Sequence, residues 1–266
     1  MFVPPPKGDD KPYRMTQLRR MTDFNQKIDS LASSFRLRPA GERGIANHGW
    51  LSSAHSFSFA NYFHPDHMGF ANLRVINDDQ VMPGRGFGEH PHQNAEIFSY
   101  VIDGALAHKD TMRNSSTVKA GGIQYMSAGS GVRHSEFNPS EDKPVHFLQI
   151  WLLPNQDGGE PRYETLDLTP SDKAGQLKLF LSPDGRDGSL AMRADGLIYA
   201  GTFDADQTAE TILPKDHKGW IQVARGSVDV NGQHLEAGDG LAITQGGRLV
   251  FSQGRDAEVI YFDLFG

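Results

Sequence analysis

The second half of this chain repeats the first in outline, and that repetition limits the architectures open to it. The segment Tyr100–His108 (YVIDGALAH) is matched by Gln222–Val230 (QVARGSVDV), with a glycine at the fifth place of each. Further on, Val118–Gly121 (VKAG) is matched by Leu235–Gly238 (LEAG), and another apolar run follows each. Short β-prone runs bounded by turn signals surround these landmarks. Leu73–Ile76 ends at Asn77-Asp78-Asp79, Ile97–Ile102 at Asp103-Gly104, and His146–Leu153 at Pro154, while Ile123–Met126 leads into a Gly/Ser loop. Such spacing predicts antiparallel strands in a sandwich or barrel, and the duplication predicts two of them in tandem.

The N-terminus is of different texture. Residues 1–15 are Pro-rich and charged and read as an arm. Leu18, Met21, Phe24, Ile28, Leu31 and Phe35 then recur at steps of three and four, which predicts one amphipathic helix over Thr16–Phe35. Asp23 and Asp29 interrupt its basic residues, so docking on protein is expected rather than on a membrane surface. The division that follows is an arm over 1–35, a first barrel over 36–154, a Pro/Gly/Asp-rich connection over 155–183 and a second barrel over 184–266.

Composition narrows the function. A net charge of −7 argues against a protein that grips phosphate backbones, so direct nucleic-acid binding is not expected. With no cysteine, thiolate catalysis, disulfides and thiolate-rich metal sites are excluded. There is neither an apolar run of spanning length nor a secretory h-region, and a cytoplasmic location is the expectation.

Two short pairs carry the chemistry. His90 and His92 flank Pro91, and His134 and Glu136 flank Ser135. In each, two metal-competent side chains stand at i and i+2, the period that puts them on one face of a strand. Should the two segments lie side by side, three imidazoles and a carboxylate converge, a set that suits Fe, Cu, Zn or Ni. The second half has no such pair. His217 and His234 stand alone there and read as surface or turn residues, so one metal site per chain is expected. His55, His64, His67, His108 and His146 are likewise assigned to structure or surface. Gln149 and Phe137 are candidates to line the pocket.

The surroundings of the pairs resemble a known family. Gly84-x5-His90-x-His92-x3-Glu96 is similar to the first cupin motif, and Gly129-x-Gly131-x2-His134-x3-Asn138 to the second. Gly104 follows Glu96 one residue later than usual, so Ile97 occupies the place of the usual cupin glutamate ligand. The acid comes instead from the second motif, as Glu136, which is the pattern of the pirins. Longer stretches extend the likeness over most of the chain after residue 36, among them Asn47–Trp50, Arg74–Asp79, Ser127–His134, Pro161–Glu164 and Ser182–Ser189. The nearest resemblance is to the bacterial, quercetinase-like branch.

That resemblance implies two tandem cupin (jelly-roll) barrels, with His90, His92, His134 and Glu136 as ligands of one divalent transition metal. Fe(II) leads, and Cu, Ni, Mn, Co or Zn could take the same ligands. It implies quercetin 2,3-dioxygenase-like chemistry, in which a flavonol or related phenolic is opened by O2 with loss of carbon monoxide. Glu136 would be the base for the substrate hydroxyl. Glu96 is either a hydrogen-bond partner of a ligand imidazole or an exposed strand residue. The same four ligands would equally serve a non-catalytic, redox-sensing regulatory protein that binds protein partners.

Overall fold

The computed structural model describes residues 34–265. It is built of β-strands in three sheets, as the repeat predicts. A seven-stranded sheet runs, in spatial order, Arg162–Asp167, Gly122–Ser127, Glu96–Asp103, Val145–Leu152, Leu73–Val81, Leu51–His55 and Gly44–Asn47. A four-stranded sheet (Gly86–His92, Val132–Phe137, Ala105–Asp110, Ser115–Lys119) completes the first barrel. The third sheet, of nine strands, forms the second half around Lys218–Val230 and Gly247–Leu264.

The two copies of the repeat share a backbone device. Gly104 and Gly226 both sit at positive φ, 79° and 64°, and so do Gly121 and Gly238, at 86° and 88°. Only a residue without Cβ takes that conformation freely, so the glycines mark equivalent bends in the two halves.

The strand Glu96–Asp103 shows how the halves meet. Every residue but the last is buried. By alternation, Ile97, Ser99 and Val101 face the first barrel's interior, while Glu96, Phe98, Tyr100 and Ile102 face the other way. Phe98, Tyr100 and Ile102 join Phe180, Trp220, Ile260 and Phe262 of the second half in one continuous core. A separate apolar core fills the second barrel around Val223, Phe251 and Val259. The strand is therefore covered on both sides, which explains its unbroken apolar run.

One expectation meets a different outcome, and a second is tested only at its last residues. Asn77-Asp78-Asp79 does not end a strand, for Leu73–Val81 runs straight through it. Asn77 and Asp79 are taken inside the barrel, and Asp78 is held by Arg43 at 3.0 Å and His146 at 2.6 Å. The helix expected over Thr16–Phe35 lies outside the described residues except at its end, where Phe35 opens a strand. That strand, Phe35–Arg38, pairs antiparallel with Gly240–Ile243 in the second half's sheet. Among the described residues no helix is long and apolar enough to cross a membrane.

Candidate metal centre

The two sequence pairs are neighbours in the four-stranded sheet. Gly86–His92 pairs antiparallel with Val132–Phe137, with His90 opposite His134 and His92 opposite Val132. The period of two puts all three imidazoles on one face, and their ligand nitrogens lie within 4.8 Å of one another. His90 Nε2 and His134 Nε2 are 3.1 Å apart. His134 is buried, whereas His90 and His92 are half-buried and form the outer side of the cluster.

The register slips between His134 and Glu136, so Glu136 faces Phe87 and one extra residue is accommodated near Gly88–Glu89. Such a bulge bends the strand and re-aims its side chains. Here it brings the Gly88 carbonyl to the His90 ring, whose Nδ1–H donates to it at 2.8 Å. His90 thereby keeps its Nε2 lone pair for the cluster.

Burial keeps two of these rings neutral. Burial, with the neighbouring imidazoles, lowers the pKa of His92 and of His134 to about 3. Neutral imidazoles with free lone pairs are what a transition ion requires. Nitrogen ligands roughly 2.0–2.1 Å from an ion stand about 2.9–3.4 Å apart at octahedral to tetrahedral angles. The 3.1 Å separation of His90 and His134 fits that range, and three imidazoles are donors of the kind a first-row divalent metal takes.

Glu136 is also where alternation puts it, buried inside the barrel. It does not enter the group of three histidines. Its Oε2 accepts from Gln149 Nε2 at 2.8 Å, and its Oε1 accepts from Gln124 Nε2 and lies 3.1 Å from the Ser99 hydroxyl. Burial raises its pKa, opposed by nearby His108 and by the Ser99 and Gln149 hydrogen bonds. The partners belong to a polar row across the barrel wall, Gln124, Ser99, Gln149, Asn77 and His55, which lie opposite one another on five successive strands. Gln149, expected to line the pocket, is buried within this row and held to Glu136. Phe137, next to Glu136, alternates to the outer face and is 41% exposed, so it does not line the interior.

Glu96 takes neither of its expected places. It is 1% exposed and lies on the strand face opposite the metal cluster, for the alternation reason given above. Its carboxylate accepts from the Tyr125 hydroxyl, from Ser127 Oγ at 2.6 Å and from the Arg193 backbone N–H at 2.9 Å. It ties the first barrel to the second.

His108, expected to be a structural or surface residue, is buried outside the group of three and stands beside it. It is 1% exposed, faces Glu136 across the sheet and has its Nδ1 at 3.4 Å from His134 Nδ1. Nothing local in the sequence marks it, because the contact arises from strand pairing. A cavity of about 320 Å³ lies in the same barrel, lined by the aromatics Trp50, Phe59 and Phe87 and by His55, Asn77 and Asp79. Trp151 bridges the cavity and the cluster, with Phe59 against one side at 5.6 Å and His92 against another at 4.8 Å between ring centroids.

Known proteins resemble this chain in sequence and in fold. The family model described as Pirin matches residues 36–152, and the model described as Quercetinase C-terminal cupin domain matches residues 179–264. A quercetin 2,3-dioxygenase of Escherichia coli (strain K12) is 46% identical over 228 residues, covering 86% of this chain and 97% of that protein. A pirin-like protein of Caulobacter vibrioides is 38% identical over 227 residues, covering 85% and 97%. The crystal structure of the bacterial pirin YhhW of Escherichia coli in complex with nickel(II) superposes with a TM-score of 0.82 at 46% identity, over 86% of this chain and 98% of that one.

Proposed function

The chain belongs to the pirin family, and on that premise we propose that it is a metal-dependent dioxygenase that opens a flavonol, or a related enol or phenolic, with O2. One observation carries this reading: three imidazoles converge beside a buried carboxylate, next to an aromatic-lined cavity. The name of the 46% identical relative and the nickel(II) complex of YhhW support it. His90, His92 and His134 would hold the ion, with Glu136 as the fourth ligand. Fe(II) leads among the candidates, and Ni, Cu, Mn, Co or Zn suit the same donors. When bound, the ion supplies Lewis acidity and redox capacity that no side chain here has.

The remaining work falls to the protein's own residues. The cavity is of ligand-binding size, and Trp50, Phe59 and Phe87 offer apolar faces to planar rings. Glu136 takes the proton of the substrate hydroxyl. Its raised pKa makes its carboxylate a stronger base than an exposed glutamate, while Gln124, Gln149 and Ser99 keep its two oxygens oriented. Trp151 packs edge-on against the His92 ring and covers that side of it.

The test pairs elemental analysis with measurement of oxygen uptake and carbon monoxide release on a panel of flavonols and smaller enediols. Turnover with bound metal is the expected result. Glu136→Gln should lower the rate by about 100-fold or more, the usual range for removing a general base, and leave much of the metal bound. A native rate in that variant would remove Glu136 from the role of base. Metal-loaded protein that consumes no oxygen on any substrate would instead favour a regulatory role exerted through protein partners.

A further inference from the structure

Behind the metal cluster runs a chain of groups that leads away from the cavity. Asp110 lies at its far end. Its Oδ1 accepts the backbone N–H groups of Met112 and Asn114, both at 2.9 Å, and its Oδ2 accepts Asn114 Nδ2 at 2.8 Å. Three donors hold it as a fixed carboxylate, an acceptor only. His108 Nε2 stands 3.1 Å from Asp110 Oδ2 and must therefore carry the proton of that contact. In the neutral ring Nδ1 is then a lone pair, and it faces His134 Nδ1 at 3.4 Å. That contact is favourable only if His134 carries its own proton on Nδ1. The His134 Nε2 lone pair is left facing His90 Nε2 at 3.1 Å, where the metal ligands converge.

The ring in the middle of this chain is clamped. His108 stacks on Tyr163 with centroids 3.9 Å apart and planes 11° from parallel, and the Tyr163 hydroxyl is bonded to Ser116 Oγ. His90 has its tautomer set by the Gly88 carbonyl, but among the described residues His134 has no backbone acceptor at its Nδ1. A second imidazole, itself fixed by a carboxylate, does that work for it.

We propose that Asp110 and His108 are positioning residues that hold His134 in its Nδ1–H tautomer and so present its Nε2 to the metal. This rests on His134 being a ligand, as under the proposed function. A ligand imidazole free to exchange tautomers spends part of its time with a proton where the ion should be, and losing such a partner typically costs 10–100-fold in metal affinity.

The test has two arms. Long-range 15N–1H correlation spectra of the metal-free wild-type protein at neutral pH report the His134 tautomer without reference to metal or activity. Nδ1–H is expected, and Nε2–H overturns the relay. The second arm measures nickel(II) dissociation constants by competition with a chelator. His108→Phe keeps a flat ring against Tyr163 and loses both nitrogens, so affinity should fall about 10–100-fold. His108→Gln restores an acceptor towards His134 and a donor towards Asp110, so it should recover most of that loss. Equal affinity of His108→Phe and wild type, within twofold, overturns the relay, as does a His108→Gln variant no better than His108→Phe. Should the phenylalanine variant not fold, the wild-type spectrum and His108→Gln decide. If nickel(II) does not bind the wild type at all, it is the ligand reading that fails, and the spectrum still judges the tautomer.

Discussion

A single buried carboxyl illustrates how far the barrel interior alters an ordinary side chain. Asp79 is 3% exposed, and its Oδ1 has no hydrogen-bond partner among the described residues. Burial pushes its pKa up to about 7, and nearby Asp78 and Glu136 add to the rise against a hydrogen bond from Ser53. An acid that holds its proton more tightly folded than unfolded stabilises the native state most below its unfolded pKa. That contribution is lost as pH rises from about 4 towards 7. The full shift corresponds to at most about 4 kcal/mol. Asp79→Asn cannot ionise, so its melting temperature should match wild type near pH 4 and exceed it near pH 8.5. A gap of the same size at both pH values would show that ionisation of Asp79 is not the cause. Nothing in the local sequence foretold this carboxyl, since Asn77-Asp78-Asp79 carries the composition of a turn. The twofold period of the strand turns two of the three inward and leaves Asp78 to Arg43 and His146.

Strands and bends show the same division between local and distant causes. The i, i+2 spacing of both pairs was legible because it is the strand's own repeat, and pairing of the two strands gathered His90, His92 and His134 into a cluster. The partners that hold Glu136 were not legible in the same way. Ser99, Gln124 and Gln149 come from three different strands and meet only through register. The glycine landmarks of the repeat are intermediate: their recurrence was visible, their crowding was not. A Cβ on Gly226 would stand 2.2 Å from the carbonyl oxygens of Arg255 and Asp256, whereas one on Gly104 would meet nothing closer than 3.0 Å. Both residues are left-handed, a strain of about 1–3 kcal/mol for other side chains. Gly104→Ala should therefore cost about that much in urea unfolding. Gly226→Ala should cost clearly more, because backbone must also move. Equal losses would mean that the Arg255–Asp256 bend yields freely.

At the scale of the whole molecule, the two barrels are joined by polar groups as well as by the shared core. Lys173, in the short helix Pro170–Lys173 between them, is 4% exposed. Its ammonium donates to Glu258 Oε1 of the second half at 2.6 Å and to the Tyr100 hydroxyl of the first at 2.7 Å, while Tyr100 donates to the same Glu258 oxygen at 2.5 Å. Breaking a buried ion pair from one side leaves an uncompensated charge and typically costs about 3–5 kcal/mol, but replacing both partners with apolar groups is often neutral. Lys173→Met alone should destabilise by that order, and Lys173→Met with Glu258→Leu should recover most of it. A double variant no more stable than the single would show that the network contributes through more than the one pair.

The sequence by itself determined the all-β class, the duplication, the membership of one family and the two strand-spaced pairs, His90 with His92 and His134 with Glu136. Each of these is written in local periodicity or in long matched stretches of residues. Only the tertiary structure decided that Glu96 serves the contact between the barrels, that Phe137 faces outwards, and that His108 and Asp110 stand behind His134. Those roles depend on which residue lies opposite which across a sheet. Strand register joins positions distant in the chain, and one bulge at Gly88–Glu89 is enough to change which side chains meet.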